Sequence, residues 1–342
     1  MNSFLTYVDQ GTGYEIRQYT KGPERNTKLY FTTENFTTDD RFFFFNKQTG
    51  KGSETKSELY KAEVESGDLK IVAGSEYSGF AMDRFENYGV MIKGNIVCRY
   101  ECDSDKILEL GALPVGGHVT GHLTTSKSGM IVCSYQQRNC IFALVMLDPK
   151  TGKSEVVYQS DYHLGHTQVC PTDENTIFFI HETGGDALQR MWLFDVASST
   201  ARPYYVESAG EWITHEVWTA DGENIVFMKL PYYIMMGTKD GHNFRVVTKG
   251  EQYLHPGISR DSKWLCADRI SYLGVESPSQ IYLINGETGN PLVLANTDAP
   301  KSGADHHHPS FNRKGDMILF NRPFENACTQ VCLIDLSQVN RP

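Results

Sequence analysis

The chain lacks the marks of several common protein classes. No run of 18 apolar residues occurs in its 342 residues, so no membrane-spanning helix is expected. The N-terminus, MNSFLTYVDQGTGYEIRQYT, has neither a basic n-region nor an apolar h-region, so it does not read as a secretion signal. Eight cysteines form no CxxC pair, and Cys133, Cys170 and Cys266 lie in or beside strand-like apolar runs. That usage points to free, buried thiols in a reducing compartment, and hence to the cytoplasm. Positive charge is short: 32 Lys and Arg against 42 Asp and Glu leave a formal net charge of -10, which argues against a nucleic-acid partner. There is no GxSxG elbow, P-loop, HExxH or dinucleotide fingerprint. Clean helical periodicity never runs beyond about ten residues.

What the chain has in abundance is a repeat. A short polar turn leads into an apolar strand near Asp40, Glu86, Gly129, Glu174, Gly222, Ser262 and Gly315, at gaps of 40 to 53 residues. That is the period of a four-stranded propeller blade. A second strand pair follows in each unit, as in SELYKAEVESGDLKIVA and QIYLINGETGNPLVLA, split by turn residues. The expectation is an all-β chain forming one seven-bladed β-propeller domain over residues 1–342. Its final strand, near Gln330, shares a blade with the segment around Tyr14 to Tyr19.

Five histidines keep a fixed place in this repeat. His122, His166, His215, His255 and His308 each stand seven or eight residues ahead of the turn. Equal offsets imply equal positions, at or near the start of an inner strand, so the imidazoles are expected to face one another across a channel. In Asp305-His306-His307-His308, strand alternation puts His306 and His308 on one side and His307 on the other. Imidazole ligands suit Mn, Fe, Co, Ni, Cu or Zn rather than Mg or Ca. Gln168 shares a face with His166 and is a candidate ligand or substrate contact. Glu182 and Glu216 are the nearest carboxylates, Glu216 reading as a supporting residue. Arg190 and Arg260 are candidate carboxylate clamps, because guanidinium binds carboxylate as a bidentate fork.

The segments YHLGHTQVCPTDENTIFFIHETGGDALQRMWLFD, EWITHEVWTADG and HHHPSF resemble the oligogalacturonate lyase family, with weaker likeness in NTKLYFTTENFTTDD. The resemblance implies a seven-bladed propeller that binds Mn²⁺ and cleaves short pectin fragments by β-elimination in the cytoplasm. It implies His166 as general base, with Arg190 counted beside it, and His215, His306 and His308 as metal ligands. The family's glutamine ligand falls on Gly303, which has no side chain to coordinate. The fourth ligand is then His255, Asp305, Gln168 or water, and His255 is included in the expected metal set. His122, Gln168, His181 and Arg260 are expected to contact an acidic oligosaccharide. Two alternatives stand beside this reading: a lyase for another uronate-containing glycan, and a non-catalytic TolB-like propeller scaffold.

Overall fold

Five of the expected blade turns share one backbone device. Asp40, Gly129, Gly222, Ser262 and Gly315 all adopt left-handed φ, between 58° and 88°. Each donates its backbone N–H to the carbonyl three residues back: Thr37 at 3.0 Å, Ser126 at 2.9 Å, Thr219 at 3.0 Å, Ser259 at 2.9 Å and Asn312 at 3.2 Å. Glycine and small polar residues recur at the closing position because a larger side chain is strained there. In three turns the leading hydroxyl also donates to an aspartate two residues on, as Ser259 does to Asp261 at 2.6 Å.

The structure, a computed structural model, describes residues 3–50, 54–183, 187–271, 277–324 and 327–341. The chain forms seven antiparallel sheets in succession, the make-up of a seven-bladed β-propeller. No α-helix occurs among the described residues. By contact the chain divides into two compact units, one of residues 1–75, 226–236 and 245–342, the other of residues 76–225 and 237–244.

The first unit holds the sheet β3 (Arg25–Lys28), β4 (Phe42–Thr49), β5 (Lys56–Glu63) and β6 (Leu69–Ala73). It also holds β24 (Gly257–Ile258), β25 (Trp264–Arg269), β26 (Ser279–Asn285) and β27 (Pro291–Thr297). Its third sheet joins both ends of the chain: β1 (Leu5–Val8) and β2 (Glu15–Gln18) add to β30 (Ala327–Asp335), β29 (Met317–Phe324) and β28 (Ser310–Phe311). Arg17 pairs with Leu333 and Gln18 with Cys332, so the expected sharing of a blade by the two termini is present.

The second unit holds β7 (Tyr77–Met82) through β10 (Lys106–Ala112), then β11 (His118–Val119) through β15 (Lys153–Ser160). The sheet β16 (Leu164–Cys170), β17 (Asp173–His181), β18 (Met191–Asp195) and β19 (Thr200–Pro203) follows. Residues of the remaining sheet, from β20 (Trp212–Trp218) to β23 (Phe244–Lys249), are divided between the units.

The run Phe42 to Phe45 shows how a blade buries itself. Phe43, Phe44 and Phe45 are all fully buried. Consecutive burial replaces simple alternation where both sheet faces are covered. Phe43 and Phe45 pack with Phe36, Leu319, Val331 and Leu333 in one core cluster of the first unit. In the second unit, Val90, Leu123, Ile131 and Val145 build the equivalent layer. The eight cysteines carry no disulfide, and six are buried.

Candidate metal centre and base

Three histidines meet in the first unit. The ligand nitrogens of His255, His306 and His308 all lie within 4.8 Å of one another, the one such group of metal-ligating side chains among the described residues. Ring centroids stand 4.2 Å apart for His255 and His308, and 5.1 Å for His255 and His306. Behind them lies Asp268 on β25, fully buried. It accepts the backbone N–H of His255 at 2.8 Å, faces His255 Nδ1 at 2.8 Å, and accepts the backbone N–H of His308 at 3.2 Å. Burial would raise the pKa of Asp268, but the His255 imidazole and these donors outweigh it and hold it below the usual range. An anionic Asp268 draws the His255 proton to Nδ1 and fixes how the ring is turned, the carboxylate–histidine arrangement found behind metal ligands. Burial, with His255 adding to it, lowers His306 to about 4, so that ring is neutral and ligand-ready at physiological pH.

The neighbours of this cluster are specific. Phe31 stacks on His308 at 5.8 Å and packs on His255 at 5.5 Å, while Tyr30 meets His308 edge-on at 4.9 Å. His307 lies apart from the cluster as expected, although residues 306–309 precede β28 and form no strand; it is buried between the Asn321 carbonyl at 3.0 Å and the Thr297 hydroxyl at 3.2 Å. Asn321 Nδ2 in turn donates to the His306 carbonyl at 2.9 Å. Asp305 is not offered to a metal. Its oxygens accept from Arg25, Ser302 and Thr329 at 2.6 to 2.8 Å.

The second unit carries a different arrangement. His166 Nδ1 lies 2.8 Å from Glu216 Oε2, and Arg190 Nε donates to the other oxygen, Oε1, at 3.0 Å. Glu216 is fully buried and Arg190 nearly so. Burial alone would raise the pKa of Glu216, yet the Arg190 guanidinium and then His166 reverse that and hold it at about 2. Glu182 approaches from the other side, its Oε2 4.0 Å from His166 Nε2 and 3.7 Å from Arg190 Nη2. Gly165 makes room for it, since a Cβ there would stand 2.9 Å from the Glu182 Cβ. His215 stacks on His166 at 6.3 Å.

Several of these histidines sit on strained backbone. His166, His215 and His308 have φ of 45°, 55° and 46°, in the left-handed region that few non-glycine residues enter. They occupy one repeat position. In the β7 blade the same position, seven residues before Glu86, is Gly79 with φ of 65°. At both Gly79 and His166 the inner strand slips register, between Ser78 and Ala81 and between Gly165 and Gln168. This is the bulge whose leading residue is left-handed.

The remaining expected residues fall out as follows. The structure gathers three of the four expected ligands, His255, His306 and His308. His215 belongs to the second unit, where its ring stacks on His166. Gln168 is buried, its Nε2 donating to the Glu216 carbonyl at 2.8 Å and its Oε1 accepting the Trp218 backbone N–H at 3.4 Å, so its side chain braces neighbouring strands. Arg260 pairs with Glu34 at 3.7 Å. It lies in the turn beyond β24. His181 ends β17 with its ring 4.2 Å from Tyr162. His122 is lowered to about 4 by burial, with the charge of nearby His166 adding to it. Asp268 was missed, although a lone carboxylate inside the apolar run WLCAD is a visible signal. Glu216, expected as a supporting residue, is buried between His166 and Arg190.

Residues 129–245 match the family model described as oligogalacturonate lyase. An oligogalacturonide lyase of Pectobacterium atrosepticum is 34% identical over 199 residues, 52% of this chain and 51% of the relative. An oligogalacturonate lyase of Dickeya dadantii is 33% identical over 198 residues, again 52% and 51%. The chain thus spans about half the length of the curated relatives it matches. A solved oligogalacturonate lyase in complex with manganese shares the fold at a TM-score of 0.86, covering 98% of this chain and 96% of its own, at 21% identity. In sequence through its central blades, and in fold over nearly its whole length, the chain resembles the oligogalacturonate lyase family.

Proposed function

We propose that this protein is a divalent-metal-dependent lyase that cleaves short oligogalacturonides by β-elimination, giving 4,5-unsaturated products. The observation that carries the reading is the His255, His306 and His308 cluster, with Asp268 fixing the tautomer of His255. Three imidazoles fit a first-row ion, and manganese is favoured because a solved lyase of the same fold holds it. When bound, the ion supplies Lewis-acid stabilisation of charge on the substrate carboxylate.

The chain's own residues account for the proton. In a uronate the C5–H beside the carboxylate is weakly acidic, and its removal expels the oxygen at C4. His166, whose Nδ1 is bonded to Glu216, is the first candidate to take that proton. Arg190 holds Glu216 anionic and so holds the ring in place. A second assignment of the base, His215, is favoured by its ring stacking on His166 at 6.3 Å. Free cysteines throughout favour action in the cytoplasm.

The test is ultraviolet absorbance of the conjugated C=C on mixing protein, Mn²⁺ and trigalacturonate. A rise that EDTA abolishes is expected. No rise with metal bound sinks the galacturonide assignment, and glucuronate glycans replace it. His166→Ala and His215→Ala, compared for turnover at full metal loading, decide which imidazole is the base.

A further inference from the structure

We propose that Trp212 is a substrate-binding residue, a stacking platform for the sugar ring next to the one that loses its proton. The inference rests on the reading of the protein as a lyase for oligogalacturonides and adds a contact that sets how the substrate lies.

The geometry is confined to the second unit. Trp212 opens β20, the strand that carries His215 and Glu216. Along that strand Trp212 and His215 are the two residues that are not buried. The indole is 49% exposed, although tryptophan is on average a well-covered residue. Two exposed aliphatic residues sit in the loops that precede β18 and β20: Leu188 at 99% and Val206 at 74%. Those loops are tied to one another. Gln189 Nε2 donates to the Tyr205 carbonyl at 2.8 Å, and the Arg190 backbone N–H donates to Glu207 Oε1 at 2.6 Å. The second loop closes on the residue before Trp212, where Glu211 accepts from the Tyr205 hydroxyl at 3.2 Å and the Ser208 backbone N–H at 3.0 Å. Arg190, whose backbone anchors the first loop, also carries the guanidinium that binds Glu216 at 3.0 Å. These apolar residues are therefore fixed to the framework that holds the candidate base. Leu69, Ile71 and Leu108 are exposed too, but they lie on β6 and β10, edge strands where single apolar side chains call for no partner.

Sugar chemistry selects the occupant. A galacto-configured pyranose groups its hydrogens at C3, C4 and C5 on one face. That apolar face packs on an indole while the hydroxyls and carboxylate stay in water. A ring so covered cannot also offer its C5–H to an imidazole. Trp212 therefore holds a neighbour of the reacting ring and not that ring itself.

The experiment is steady-state turnover of trigalacturonate by the Mn²⁺-loaded protein and by its Trp212→Ala and Trp212→Phe variants. Trp212→Ala is expected to raise KM about 10-fold, with a smaller change in kcat. Trp212→Phe is expected to recover most of the loss, because an aromatic face is still presented to the sugar. An unchanged KM in Trp212→Ala overturns the proposal. So does a loss confined to kcat, or one that phenylalanine does not repair, since either marks a role in building the strand. An unchanged KM together with an altered oligomeric state in size-exclusion chromatography makes the patch an interface between copies, and the proposal fails. A wild type that does not turn over galacturonides defeats the function itself, a result read before either variant is measured.

Discussion

Asp268 grips His255 twice, accepting its backbone N–H at 2.8 Å while facing its Nδ1 at 2.8 Å. One carboxylate thus sets both where the residue begins and how its ring is turned. It also accepts the backbone N–H of His308, so two of the three gathered imidazoles answer to it. Asp268→Asn keeps the shape but removes the charge that fixes the tautomer. The expected outcome is about 10- to 100-fold weaker Mn²⁺ binding by calorimetry. Unaltered affinity would show that Asp268 does not orient the ligands.

The cluster also ranks the histidines. His306→Ala and His308→Ala are expected to purify without stoichiometric metal, whereas His215→Ala keeps it. Elemental analysis of the three proteins checks this. Metal loss in His215→Ala would restore the ligand role that the resemblance implied for it.

Glu216 gives a stability prediction with a definite sign. Its carboxyl is held at about 2 in the folded protein, chiefly by Arg190 against the cost of burial. Unfolded, it titrates near 4.3. Its folded pKa is lowered, so the stabilisation is fully present above the unfolded value and is lost as pH falls toward the folded one. Glu216→Gln removes the nearer of the two carboxylates facing the buried Arg190, leaving Glu182 at 3.7 Å, at a cost of about 3 kcal/mol at neutral pH. Urea titrations should show the wild type and variant converging between about pH 4.3 and pH 2, as that window implies. A gap independent of pH would place the effect in packing.

The left-handed backbone at His166 separates two substitutions usually treated alike. His166→Ala and His166→Gly both remove the imidazole and its bond to Glu216. Only glycine relieves the φ of 45°. We expect His166→Gly to be more stable than His166→Ala by about 1 kcal/mol in chemical denaturation. Equal stabilities would mean that the surrounding strands absorb the strain.

Much of this was legible because repetition is legible. Period and turn chemistry locate seven sheets, and one offset from the turns locates five histidines. Alternation sets His307 apart from His306 and His308, and the structure does so too, although these residues fall between a 3-10 turn and β28 and form no strand. What the sequence did not disclose is which histidines meet. The offset is shared by His215 and His255, but only His255 has a buried carboxylate on the next strand, Asp268, to turn its ring toward His306 and His308. Nor does spacing reveal that Gln168 is consumed as a brace. Its side chain is spent on the Glu216 carbonyl, a contact 48 residues distant in sequence.

The bulge at Gly79 carries a further consequence. There the backbone already has the shape that His166, His215 and His308 require, with no imidazole on it. A Cβ built at Gly79 would meet its nearest atoms, the Gly121 carbonyl and Ile92, at 3.5 Å, an ordinary contact. The conformation therefore belongs to the blade and not to the histidine. It works as a socket, empty in one blade and filled in others, and chemistry can be added or withdrawn one side chain at a time without rebuilding the strand that presents it.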